Sequence, residues 1–249
     1  MNDFERIENR FLGNKEDFCE FLACLYNKGM CEVTVDFKDD SHFYFHRNGE
    51  ALGINDASVF SDDTDYIDSV ISKCDGLQTV SIISLNGLDM KKYEGEWKVS
   101  VRRQFYKNCV LSEDSSWMLA SVGACTRLDK SHSSVINASS SETVKQNYSM
   151  AMEFDDDCYA HIDGGLKCFL STCCNKKVNA MEVNWIYTEP NFRNKGYASD
   201  LLSKVSDYYV TKGYMLTYHC DSNNTASANT ALKAGFTEAV NEIILERRN

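Results

Sequence analysis

Apolar and polar residues alternate in runs that predict an α/β chain. Phe18, Phe21, Leu22, Leu25 and Tyr26 recur at helical spacing between Asn14 and Asn27. Cys31 to Phe37 alternates with period two, as a strand with one buried face does, and His42 to Phe45 reads as its partner across the turn Lys38-Asp39-Asp40-Ser41. Asp63 to Lys73 predicts a short helix with Asp62 or Asp63 near its cap. Thr79 to Leu85 and Trp97 to Val101 predict further strands.

The second half is more tightly punctuated. Asp129 to Ser141 is rich in serine and reads as a loop, or as the start of a helix running through Val144 to Met152; such a segment is usually a solvated connector. Asp155-Asp156-Asp157 reads as a turn rather than a metal site, because neighbouring acids point in different directions. Strands Cys158–Ile162 and Leu166–Thr172 follow, joined by the hairpin turn Asp163-Gly164-Gly165. Ala180 to Thr188 is the next strand. Gly196 to Lys212 is a helix with Ala198, Leu201, Leu202, Val205 and Tyr209 on one face and Gly213 just past its end. Tyr214 to Cys220 is a strand, Asn224 to Ala234 a helix closed by Gly235, and Phe236 to Leu245 the last strand or pair of strands.

Composition narrows the function classes. The formal net charge of −11 argues against a general nucleic-acid binder, because neutralising phosphates needs clustered Lys and Arg. It permits a cationic or amine substrate. No apolar run approaches the length of a membrane span, and the first residues carry acids where a signal peptide carries a basic region, so the expected location is cytoplasmic. The eleven cysteines are odd in number and form no Cys-x-x-Cys pair with a second Cys/His pair, so they read as reduced thiols with no metal site.

The chemistry concentrates at Trp185-Ile186-Tyr187-Thr188-Glu189-Pro190-Asn191-Phe192-Arg193-Asn194-Lys195-Gly196-Tyr197-Ala198. A strand ends at a proline, a basic glycine-containing turn follows, and a helix opens. Such a turn aims backbone N–H groups and the positive end of a helix dipole at one spot, which suits a pyrophosphate. This Arg-x-x-Gly-x-Ala block, together with Asn224-Thr225-Ala226-Ser227 and Lys233-Ala234-Gly235-Phe236, resembles the GNAT acetyltransferase superfamily. The order hairpin, strand, helix, strand, helix, strand matches the C-terminal two-thirds of that fold.

The resemblance implies a GNAT acyl-CoA N-acyltransferase fold, a central mixed and splayed sheet flanked by helices. It covers Asp157 to Asn249 well. A smaller α/β N-terminal domain precedes it, so the expected organisation is residues 1–110 and residues 111–249, the first region being a candidate degenerate GNAT-like unit although it holds no glycine turn of its own. The implied co-substrate is acetyl-CoA, without a metal. The backbone of Ile186, Tyr187 and Thr188 would bond the pantetheine arm as an added strand does. Arg193, Asn194, Lys195, Gly196, Tyr197 and Ala198 would wrap the pyrophosphate. Asn224 and Ser227 would lie near pantetheine or substrate, or serve as helix caps.

Glu182, eight residues before Pro190, is the candidate general base that makes an amine available for attack; simple alternation puts it on the same face as Asn184, Ile186 and Thr188. One departure stands out. Many relatives carry a tyrosine four residues before the glycine of the second block, able to protonate the leaving thiolate, and here that position is Ala231. Tyr218, Tyr187 and Tyr197 are the substitutes in sequence. The expected activity is acetyl transfer from acetyl-CoA to a primary amine of a small molecule, by direct transfer in a ternary complex, in a monomer or homodimer. The rivals are a non-catalytic acyl-CoA-binding regulatory module and an acetyltransferase acting on protein N-termini or lysines. His219 and Cys220 are adjacent strand residues facing opposite ways and cannot form a dyad.

Overall fold

The computed structural model describes residues 1–14, 18, 21, 31–49, 53–84, 88–107, 125–154, 156–176 and 178–248. The helix expected over Asn14 to Asn27 lies outside them, apart from Asn14, Phe18 and Phe21. The chain forms two compact units, one of residues 1–104, 219–224 and 239–249, the other of residues 105–218 and 225–238.

The first unit opens with helix α1 (Asp3–Gly13), which hydrophobic spacing alone did not reveal. Its start is written in polar residues: the Asn2 side chain accepts the Glu5 N–H at 2.8 Å, and the Glu5 carboxylate accepts the Asn2 N–H at 2.9 Å. Ile7 and Phe11, four apart, are its buried stripe, and the Phe11 ring meets Phe43, Phe45 and Phe60 with centroids 5.3–6.4 Å away. The strands are β1 (Glu32–Phe37), β2 (Phe43–Gly49), β3 (Ile54–Phe60), β4 (Thr79–Ile83) and the unit's parts of β5 (Trp97–Lys107) and β11 (Thr237–Arg247), with helix α2 (Thr64–Lys73) between β3 and β4. β3 had given no alternating signal in sequence, since it is buried on both faces at its end. Sheet order is β1-β2-β3-β4-β11-β5. β1-β2-β3 are antiparallel, and β4 runs parallel to β3, pairing Asp56–Phe60 with Thr79–Ile83 up to the last residue of both strands. Tyr66, Ile67 and Val70 of α2 bury against Val80 and Ile82.

The second unit holds β6 (Cys125–Arg127), α3 (Ser133–Asn137), α4 (Glu142–Phe154), β7 (Cys158–Ile162), β8 (Leu166–Asn175), β9 (Ala180–Thr188), α5 (Tyr197–Thr211), the first residues of β10 (Met215–Asp221) and α6 (Thr225–Lys233), in the order β10-β9-β8-β7-β6. The pattern of the first unit recurs: three antiparallel strands β7-β8-β9, a helix, and a strand β10 parallel to the third. Val144, Tyr148 and Ala151 of α4 pack with Ile136 of α3 on Cys158, Ala160 and Phe169. On α5 the expected Leu201, Leu202, Val205 and Tyr209 are buried.

The serine-rich segment is structured rather than a plain connector. A 3-10 turn (Lys130–His132) and α3 occupy its first part, and Ser139 is buried. Asp157 of the acidic triplet is a structural anchor: it accepts Arg127 Nε at 2.9 Å and the Tyr209 hydroxyl. Among the described residues no cluster of His, Cys, Asp and Glu is arranged to hold a metal, and no helix is long and apolar enough to cross a membrane. The eight described cysteines form no disulfide with one another. Burial pushes Cys158 and Cys168 up to about 12, which keeps them protonated and unreactive.

Candidate active site

The site is built where β9 meets α5. Along β9, Ala180–Val183 pair with Met215–Tyr218 of β10, and the parallel ladder stops there. On the other side β9 stays paired with β8 through Thr188, which faces Cys168. Residues 184–188 therefore have a strand on one side only among the described residues. Backbone groups on that open side are unpaired by the sheet, which makes a template for an extended ligand. Ile186, Tyr187 and Thr188, all half-buried, lie on this segment.

A bulge changes which side chains share a face. Ser171 opposes Trp185 while Thr172 opposes Val183, so Asn184 is an extra residue on β9. Cross-strand partners point to the same face, so Glu182, opposite Cys173, lies with Trp185 and Tyr187. Val183, Ile186 and Thr188 occupy the other face. The alternation that grouped Glu182 with Ile186 and Thr188 is thus overturned, because one inserted residue reverses every later side chain. The Asn184 side-chain amide donates to Asn147 Oδ1 of α4 at 3.2 Å.

The turn after β9 has the expected form. A 3-10 turn (Pro190–Phe192) leads to Asn194 at φ 59 and Gly196 at φ 83, both left-handed. Gly196 is the N-cap of α5 and offers no side-chain cap, so the first N–H groups of that helix are free of the usual side-chain acceptor. Space around Gly196 is open to 4 Å. Arg193 and Lys195 are exposed and fold back on the turn: Arg193 Nε donates to Thr188 O at 3.1 Å, and Lys195 Nζ to Asn191 O at 2.9 Å. Ala198 is a small residue in the first helical turn, and the Tyr197 ring stands edge-on to Phe192 and to buried His161.

The corresponding place in the first unit looks different. Asp63 caps α2, its carboxylate accepting the Asp65 and Tyr66 N–H groups at 2.9 and 3.2 Å, and β3 stays zipped to β4.

The remaining sequence candidates fall as follows. Ser227 Oγ lies 2.5 Å from the Tyr218 hydroxyl, and Tyr218 is buried between the edges of Phe105 and Phe236. Asn224 immediately precedes α6 and belongs to the first unit. Ala231 is fully buried in α6, and its carbonyl accepts the Phe236 N–H. The Tyr187 hydroxyl is 3.2 Å from Ser140 Oγ.

One participant had been missed. Glu189, at the end of β9, accepts the Ser139 hydroxyl at 2.5 Å, the Ser140 hydroxyl at 2.6 Å and the Ser140 N–H at 3.2 Å. It pins the segment before α4 to the strand that carries the site. Burial acts to raise its carboxyl, but the Ser139 and Ser140 hydrogen bonds and the Arg193 charge outweigh it, so the carboxyl sits below its usual range. A depressed folded value stabilises the fold above the usual glutamate range and loses that stabilisation as pH falls through the folded value. Glu189→Gln is therefore expected to lower stability by about 1 kcal/mol at neutral pH, allowing for solvent screening. In urea melts the gap from the parent protein should narrow as pH falls through the folded value.

An open strand edge running into an uncapped helix N-terminus through a basic glycine turn is an arrangement that suits an extended ligand ending in phosphates. Residues 143–236 match the sequence model of the Acetyltransferase (GNAT) family. Solved structures of similar fold include a functionally unknown conserved protein from Staphylococcus epidermidis, 12% identical, TM-score 0.59, covering 86% of this chain and 93% of that one. A GCN5-related N-acetyltransferase-like protein from Streptococcus suis is 13% identical at TM-score 0.57, covering 99% and 98%. A GNAT-family acetyltransferase from Colwellia psychrerythraea is 12% identical at TM-score 0.55, covering 99% and 96%. At these identities the likeness is one of fold. No curated protein matches the chain.

Proposed function

We propose that the protein is an N-acetyltransferase that moves an acetyl group from acetyl-CoA to a primary amine of a small molecule, by direct transfer in a ternary complex. The observation that carries this reading is the loss of β9's second partner after Val183, followed within one short turn by the uncapped start of α5. The residues present fit the co-substrate: the open edge of 184–188 suits the amide-bearing pantetheine arm, and the N–H groups after Gly196, with Arg193, Asn194 and Lys195, suit a pyrophosphate. Acetyl-CoA supplies the acetyl group already activated as a thioester.

Glu182 takes the proton of the acceptor ammonium, directly or through a water, so that the neutral nitrogen can form the amide bond. A backbone N–H near Ile186 or Tyr187 steadies the negative charge that develops on the acetyl oxygen. The Ser227–Tyr218 hydroxyl pair is the candidate proton source for the departing sulfur, in place of a side chain at Ala231; a thiolate is also a fair leaving group unaided. The reading is of a cytoplasmic monomer or homodimer.

We read the chain in sequence order as an N-terminal domain, residues 1–110, and a catalytic domain, residues 111–249, with residues 219–224 and 239–249 packing with the first unit. The recurrence of strand, strand, strand, helix, parallel strand supports reading the first unit as a degenerate copy. Its own Asp63 carboxylate occupies the place an anion would take, and β3 offers no open edge. Calorimetric titration with acetyl-CoA is therefore expected to give one site per chain. Two sites would overturn the degenerate-copy reading, and no binding would overturn the function itself.

A further inference from the structure

On the basis of that reading, we propose that Trp185, flanked on one face of β8–β9 by Glu182 and Ser171, is the acceptor-recognition residue, and that the acceptor is an alkyl diammonium. One amine is the acetylated nitrogen and the second is a cation held over the indole. The register fixes the arrangement. Cys173 opposes Glu182, Ser171 opposes Trp185 and Phe169 opposes Tyr187, so all six lie on the face that packs toward α4. The bulge at Asn184 is what brings Trp185 to the Glu182 side.

Three observations point to a ligand here. Trp185 is 42% exposed although it sits on a strand whose other flank is open. Beside it Ser171 is 2% exposed, and its Oγ has no hydrogen-bond partner among the described residues, a buried polar atom that a ligand or a water must satisfy. The neighbouring aromatic, Tyr187, already has the Arg193 guanidinium 5.6 Å over its ring, which leaves Trp185 as the exposed aromatic on this face.

The chemistry follows. An indole face is the best of the side-chain rings for a cation, and a carboxylate next to it strengthens the preference. The net charge of −11 adds a field of the same sense. Glu182 and Trp185 oppose residues two apart on β8, so they are separated by about 7 Å along the strand. A five-carbon diamine spans that distance with one nitrogen at each residue.

The test is calorimetric titration of the full chain, saturated with CoA, with 1,5-diaminopentane and with 1-aminopentane. The diamine is expected to bind about tenfold more tightly. Trp185→Ala should erase that preference in a protein that still titrates with CoA and melts cooperatively, and Trp185→Phe should restore part of it. Equal binding of the two amines, no binding of either, or a preference that survives Trp185→Ala overturns the proposal. If CoA binds normally in those cases, only the acceptor subsite falls. If CoA itself fails to bind, the acetyltransferase reading falls with it.

Discussion

Gly196→Asp is expected to abolish acetyl-CoA binding while the protein stays folded. Gly196 sits at φ 83, where an aspartate costs about 1 kcal/mol, less than a bulkier residue. Nothing lies within 4 Å of the place its Cβ would take, so packing adds no penalty. The substitution puts a carboxylate where the helix N-terminus otherwise waits for an anion, much as Asp63 does at the start of α2. A fixed negative charge about 5 Å from a phosphate costs about 3 kcal/mol at an effective dielectric of 20, a loss of roughly a hundredfold or more in affinity. Calorimetry with acetyl-CoA checks the affinity, and a thermal melt within a few degrees of the parent checks the fold. Undiminished binding would move the cofactor away from this turn.

Glu182→Gln should lower kcat by about 10²–10⁴-fold, the range a positioned general base contributes, with acetyl-CoA affinity unchanged. Glutamine keeps the shape but cannot take the proton. The change also separates the two readings of the domain. Turnover with any amine, lost in the variant while CoA still binds, defines an enzyme with Glu182 as its base. Binding of CoA with no turnover by the parent protein, over a panel of amines, favours the regulatory acyl-CoA module that Ala231 suggests. An unchanged rate in the variant would leave Glu182 a surface acid.

Much of the site could be read directly from the chain, because its signals are local. The left-handed glycine before a helix, the proline that ends β9, the hairpin glycines and the Asp63 cap each act over three or four residues, and each appears where the sequence put it. The apolar stripe of α5 is equally local, since 3.6-residue spacing needs no partner to be recognised. The first unit was less legible. α1 carries only two fully buried residues and β3 does not alternate, so neither had a strong periodic signal.

Tertiary structure decided the rest. The pairing of β9 with β10 ends at Val183, and nothing in either sequence marks that point. The bulge at Asn184 comes from the register between β8 and β9, and that single residue moved Glu182 from the face of Ile186 to the face of Trp185. The Glu189 contact with Ser139 and Ser140 joins residues some fifty positions apart, which turns a serine run that looks like a linker into a carboxylate clamp. Local propensity is set by each residue and its nearest neighbours, so the sequence specified the elements and the glycine turn before α5. Register, divergence and long-range hydrogen bonds depend on which surfaces bury together. Only the packed sheet therefore determined which side chains of β9 share a face.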